Sequence, residues 1–122
     1  MIAAGFGFRK GASVTSLMDA LSAAAGGRPV SVLATAADKA QTGVFRSLAA
    51  EARLPVRGVD AGSLAAQRTR THSQASLEAR DVGSLAEAAA LAAAGEGARL
   101  LAPRTISGDG MATCALAEGN GP

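Results

Sequence analysis

Residues 5–13 read GFGFRKGAS. The chain has no Trp, no Tyr and three Phe, and two of these, Phe6 and Phe8, stand here directly ahead of Arg9 and Lys10. Aromatic rings offer an apolar face to a flat ligand. A guanidinium and an ammonium donate charge-assisted hydrogen bonds to carboxylates, and free N–H groups at the start of a helix favour anions. Gly5, Gly7 and Gly11 would let a backbone or a ligand come close. The same residues also suit an ordinary strand end, with Phe6 and Phe8 in the core and Arg9 and Lys10 in water. The residues alone leave both readings open. The spacing G-x-G-x-x-x-G is one residue longer than a dinucleotide fingerprint, and the Gly-Lys-Ser/Thr ending of a phosphate loop is missing.

Other polar residues carry weaker signals. Lys39, beside Asp38 in TAADKAQ, can meet a ligand carboxylate, although an isolated surface ion pair is the ordinary reading. Glu87 can be a general acid or base or a ligand contact. It can equally be the third helical residue of a capping box opened by Ser84, in which case Glu87→Gln should leave stability unchanged. His72 is the single histidine and lies in a polar stretch, so neither a metal site nor a catalytic triad is indicated. Cys114 has no cysteine partner and sits in an apolar run, as an inert core thiol does.

These residues need elements to hold them. Ile2, Ala4, Phe6 and Phe8 alternate on one face of a strand over residues 1–8, leaving Gly5 and Gly7 to make the other face bare. Ser13 caps a helix carrying Val14, Leu17, Met18 and Leu21 at helical spacing, which Gly26-Gly27 ends. A second strand, VSVLAT, follows Pro29, and TAADKAQ reads as a loop. A helix from about Thr42 through Glu51 stops at Leu54-Pro55. VRGV is a strand, and Asp60 caps a short helix. QRTRTHSQAS, residues 67–76, reads as a mobile loop. SLAEAAALAAAG is a strong helix that Gly95 terminates. ARLLA and MATCALA are strands flanking the turn SGDG, and they are predicted to form a hairpin.

The alternation predicts an α/β fold: a three-layer α/β/α sandwich over a mixed, mainly parallel sheet of about five strands, in a single domain spanning 1–122. Ligands of such sheets collect at loops after the carboxyl ends of strands, here FRKGAS and TAADKAQ. The predicted pocket lies between these loops and the start of the 84–94 helix.

Composition narrows the classes. At 122 residues, 48% hydrophobic and 18% charged, the chain has the makeup of one globular domain. A net charge of +2, with no dense basic run and no ladder of aromatics, argues against nucleic acid. The N-terminus lacks the basic segment and long apolar run of a signal peptide, and the Ala-rich stretch 86–94 is too short to span a bilayer, so a cytoplasmic protein is expected.

GFGFRKGAS, VLATAADKA, FRSLAAEARLPV, VGSLAEAAALAAAG and LLAPRTISGDGMATCALA occur in this order across nearly the whole chain. As a set they resemble the CobE / CbiG C-terminal domain family of cobalamin biosynthesis. The resemblance implies a three-layer α/β/α domain serving construction of the corrin ring. In the hydrolase relatives a lactone on the methylated macrocycle is opened and acetaldehyde leaves, and an additional N-terminal domain is present. This chain looks like the free-standing form of the oxygen-dependent route.

The implied ligand is a precorrin-type tetrapyrrole, flat and rich in carboxylates. The resemblance extends to Gly5, Gly7, Arg9, Gly11, Thr35, Lys39 and Glu87; Phe6, Phe8 and Lys10 join them as candidate ligand-binding residues. Glu87 and Lys39 are the candidates for proton transfer if the protein is a hydrolase. Gln41-Thr42 stands where the family often has an acidic residue, which weakens an acid–base role for that loop. Neither metal nor cofactor is implied. Other cobalamin-biosynthesis enzymes are the expected partners, and a homodimer is compatible with the sequence. A nucleotide-binding α/β module is the reading without the resemblance, but the glycine spacing and the lack of an acidic residue ending the second strand oppose it.

Overall fold

The computed structural model describes residues 1–72, 77 and 84–121. Among the described residues six strands form one sheet: β1 (Ile2–Phe8), β2 (Val32–Ala36), β3 (Val56–Val59), β4 (Arg99–Leu100), β5 (Thr105–Ile106) and β6 (Ala112–Glu118). The helices are α1 (Val14–Ala25), α2 (Ala37–Ala40), α3 (Gly43–Ala52), α4 (Ala61–Ala65) and, among the described residues, a last one, α5 (Leu85–Ala94). The sheet order is β3-β2-β1-β6-β4, with β5 also paired to β6. β1, β2 and β3 are parallel, while β6 is antiparallel to β1, β4 and β5. Only β6 therefore runs against the other five, which makes the sheet mixed but mainly parallel in direction.

Helix ends follow local chemistry. The Ser13 hydroxyl accepts from Ser16 N, and the Ser16 hydroxyl accepts from Ser13 N, a reciprocal cap on α1. Asp60 caps α4 through Ser63 N at 2.8 Å, and Ser84 caps α5 through Glu87 N at 3.3 Å.

The two faces of the sheet bury different material. On one, Phe6, Leu17, Leu33, Phe45 and Leu48, all fully buried, join α1 and α3 to the sheet. Burying side chains of this size stabilises by about 1.5–3 kcal/mol each. On the other, α5 presents Ala86, Ala89, Ala90, Ala93 and Ala94 to Ala3, Ala34, Ala115 and Ala117. Gly5 lies under this helix: a Cβ there would stand 2.0 Å from Ala86 O and 2.4 Å from Ala90 N. The face expected to be bare is thus a helix-packing surface, and glycine is what lets the backbones approach.

Three local expectations change. TAADKAQ is not a loop throughout, since residues 37–40 form α2. ARLLA pairs only at Arg99–Leu100, and the hairpin partner of β6 across SGDG is β5, a strand the sequence reading did not include. The second strand starts at Val32 rather than directly after Pro29. Of the loop assigned to 67–76, residues 73–76 lie outside the described residues.

Candidate functional site

The carboxyl ends of β1 and β2 share one edge because the strands are parallel. β1 delivers Phe8, Arg9 and Lys10 there, and β2 runs into α2 with Lys39 in its last turn. Phe6 and Phe8 both point to the α1/α3 face, where Phe45 receives them. Phe6 meets Phe45 edge-on at 5.5 Å, and Phe8 stacks on Phe45 at 5.8 Å with the rings 4° apart. Phe6 is sealed, whereas Phe8 is half-buried. The Lys39 ammonium lies 4.3 Å from the Phe8 ring centroid and donates to Phe8 O at 2.5 Å. This cation–π contact ties α2 to the end of β1. Arg9 and Lys10 are exposed, and Arg9 N donates to Met111 O at 2.9 Å. Gly11 has φ +93°, which a side chain would strain.

α5 runs back along β1. Its first residues cover Gly7, whose added Cβ would lie 3.6 Å from Leu85 Cβ and 3.8 Å from Ala86 N. The start of α5 is therefore at the same edge, but on the opposite face of the sheet from Phe8.

The remaining sequence candidates are internal. Thr35 is fully buried and donates its hydroxyl proton to Phe6 O at 2.8 Å, bridging β2 to β1. Glu87 is fully buried as well. Its Oε1 accepts from Arg70 N and Thr71 N at 2.8 Å each, and its Oε2 accepts from Arg104 N at 2.9 Å and the Thr71 hydroxyl at 3.1 Å. The expected capping box is therefore half present. Ser84 caps the helix, but the carboxylate turns away and anchors two distant chain segments. Direct ligand contact by the side chains of Phe6, Thr35 or Glu87, or by Gly5 beneath α5, would require these surfaces to open. The structure gathers Phe8, Arg9, Lys10, Gly11 and Lys39 at an accessible edge.

Cys114 is buried with no disulfide, and burial pushes its thiol pKa far up, as an inert core cysteine requires. His72 is exposed. Among the described residues no three His, Cys, Asp or Glu side chains cluster as a metal site would. No helix among them is long and apolar enough to cross a membrane. A shallow depression on α3, lined by Ser47, Ala50, Glu51 and Arg53, includes none of the candidate residues. The sequence reading missed Asp109 and Met111 in the β5–β6 turn: Met111 O accepts Arg9 N, and Asp109 accepts the Ser16 hydroxyl in the first turn of α1. The Asp of SGDG, a residue type that bonds nearby backbone N–H groups, was the available signal.

Comparison with known proteins places these features. The profile described as cobalamin synthesis G C-terminus matches residues 2–117. The structure is similar to that of CobE, a protein from the cobalamin (vitamin B12) biosynthetic pathway. The TM-score is 0.86 at 29% identity, covering 100% of this chain and 92% of that one. It is also similar to the cobalamin biosynthesis protein ChiG from Agrobacterium tumefaciens, with a TM-score of 0.76 at 35% identity over 98% of this chain and 99% of that one. A cobalamin biosynthesis protein G homolog from Sulfolobus solfataricus shares the fold, with a TM-score of 0.70 at 18% identity over 98% of this chain and 37% of that one. No curated protein sequence matches the chain. The profile spans nearly all of the sequence, and the protein belongs to the cobalamin synthesis G C-terminus family, the CobE and CbiG C-terminal type of cobalamin biosynthesis protein.

Proposed function

We propose that this protein binds a precorrin-type tetrapyrrole of the oxygen-dependent route and serves as a helper or carrier to neighbouring methyltransferases. The observation that carries this reading is the half-buried Phe8 ring, stacked on Phe45 and held under Lys39, beside the exposed Arg9 and Lys10. A ring edge beside three cations suits a flat ligand that bears carboxylates. Membership of a cobalamin-biosynthesis family motivates a tetrapyrrole as the ligand. Gly5, Phe6, Gly7, Thr35 and Glu87 then shape the site from within, while Phe8, Arg9, Lys10, Gly11 and Lys39 meet the ligand. Hydrolysis of the macrocycle is less well supported, because Glu87 is sealed from solvent and Lys39 is engaged with Phe8.

The test is to incubate the protein with successive pathway intermediates, separate it on a sizing column and record the visible spectrum of the protein peak. A coloured peak with one intermediate is expected. A colourless peak with every intermediate would sink the reading, and a product with an altered spectrum would favour the hydrolase. Arg9→Ala is expected to keep the fold and lose about 1.5–3 kcal/mol of affinity, the worth of one hydrogen bond to a charged group.

A further inference from the structure

Asp109, in the turn between β5 and β6, belongs to no candidate set above, yet it reaches both ends of the loop that carries Arg9. Its Oδ1 accepts from Met111 N at 3.0 Å and from the Ser107 hydroxyl at 2.6 Å. Its Oδ2 accepts from the Ser16 hydroxyl at 2.5 Å. Met111 in turn accepts Arg9 N through its carbonyl at 2.9 Å, which fixes the start of the loop. Ser16 accepts Ser13 N at 3.3 Å, which fixes the end. Between these anchors lie only Lys10, Gly11 and Ala12, closed by a turn in which Ala12 N donates to Arg9 O at 3.0 Å.

The turn that carries Asp109 is itself pinned. Gly108 N donates to Asp19 Oδ2 on α1 at 2.7 Å, and the buried Ser107 hydroxyl accepts Ala112 N at 3.0 Å. Bonds from the Ser107 and Ser16 hydroxyls and from Met111 N hold the Asp109 carboxyl below the usual carboxylate range. At neutral pH it is ionised and can only accept, which fixes the direction of each of these bonds.

We infer that Asp109 is the positioning residue of the Arg9–Ser13 loop: its carboxylate sets where Arg9, Lys10 and the first N–H groups of α1 point, without touching ligand itself. What the loop then holds rests on the proposed function; the positioning does not. Two measurements keep these apart. In the first, amide hydrogen exchange is compared between wild type and Asp109→Ala without ligand. Protection of the Arg9, Ala12 and Ser16 amides should fall by about tenfold, the factor equivalent to one hydrogen bond of ordinary worth, while β2 and α5 stay unchanged. Unchanged protection at those three amides, or a loss spread evenly over the protein, would overturn the inference.

In the second, a porphyrin polycarboxylate is titrated into wild type, Arg9→Ala, Asp109→Ala and the double variant. Asp109→Ala should weaken binding severalfold, and the double variant should lose less than the sum of the two single losses, because part of the Asp109 loss acts through Arg9. Additive losses would sink the coupling. Absence of binding by wild type would count against the proposed function, and the exchange measurement would still decide the role of Asp109.

Discussion

β1 has two faces and they are built by opposite means. Toward α1 and α3, the strand projects Phe6 and Phe8 into side chains from other elements, and the gap between layers is filled by ring volume. Toward α5, the strand projects nothing at Gly5 and Gly7, and the gap is closed by bringing helix and strand backbones together. The first arrangement fails when atoms are removed and the second fails when atoms are added. The difference also separates roles. The ring-filled face ends in Phe8, whose ring is half-buried. The close-packed face ends in polar anchoring, with Glu87 bonded to the Arg70–Thr71 and Arg104 backbones.

The contrast can be broken most sharply at Gly5. Gly5→Ala should cost more than ~3 kcal/mol, beyond the ordinary penalty of overpacking, because the new methyl meets helix backbone rather than a movable side chain. Thermal unfolding checks it, and a melting temperature near wild type would show that α5 can lift away.

On the opposite face the damaging change is a deletion. Phe45→Ala should cost about 3–5 kcal/mol, and it removes the surface on which Phe8 stacks. Tetrapyrrole affinity should therefore fall along with denaturant stability. Undiminished affinity in the folded fraction would detach Phe8 from the site.

Glu87→Gln comes next, and the structure reverses the expectation drawn from the cap alone. Both carboxylate oxygens accept bonds, so the amide nitrogen of Gln must face a donor whichever way it turns. A loss of about 1–3 kcal/mol follows, read by denaturant midpoint. Unaltered stability would mean that the 70–71 segment is not held by this carboxylate.

Acid should have the smallest effect and reach both faces. Asp109 and Asp60 have pKa values lowered from 3.8, mainly by Ser107 and Ser63 respectively. A lowered folded pKa means that their contribution is complete above the unfolded value and fades as pH falls through the folded one. Melting temperature should thus decline below about pH 4, and Asp109→Ala should flatten part of that decline. An identical acid profile in the variant would remove Asp109 from the account.

Much of this architecture was legible because its signals are local. Ser13, Asp60 and Ser84 sit at helix starts with apolar spacing behind them, and each is a cap. The alternation of Ala4, Phe6 and Phe8 gave the right buried face. What escaped depends on contacts far apart in the chain. Thr105–Ile106 is too short to show a period and is a strand only because β6 lies beside it. Ala37–Ala40 is one turn of helix with little pattern of its own. Glu87 matched a capping box because Ser84 is near, while its actual partners stand 16 and 17 positions away. The open edge of the candidate site was legible in Arg9 and Lys10, but the reach of Asp109 to Ser16 spans 93 positions and leaves no local trace.

The two ends of the described chain meet. The Met1 amino group donates to Gly119 O at 3.1 Å, and Gly119 N donates to Met1 O at 3.0 Å. This pairing lies at the start of β1, a full strand length from the edge where Phe8, Arg9 and Lys39 gather. A fusion partner or tether joined at either end would leave from the far side of the sheet. The domain can therefore be immobilised or carried within a larger assembly by either end, with its cationic rim still facing outward.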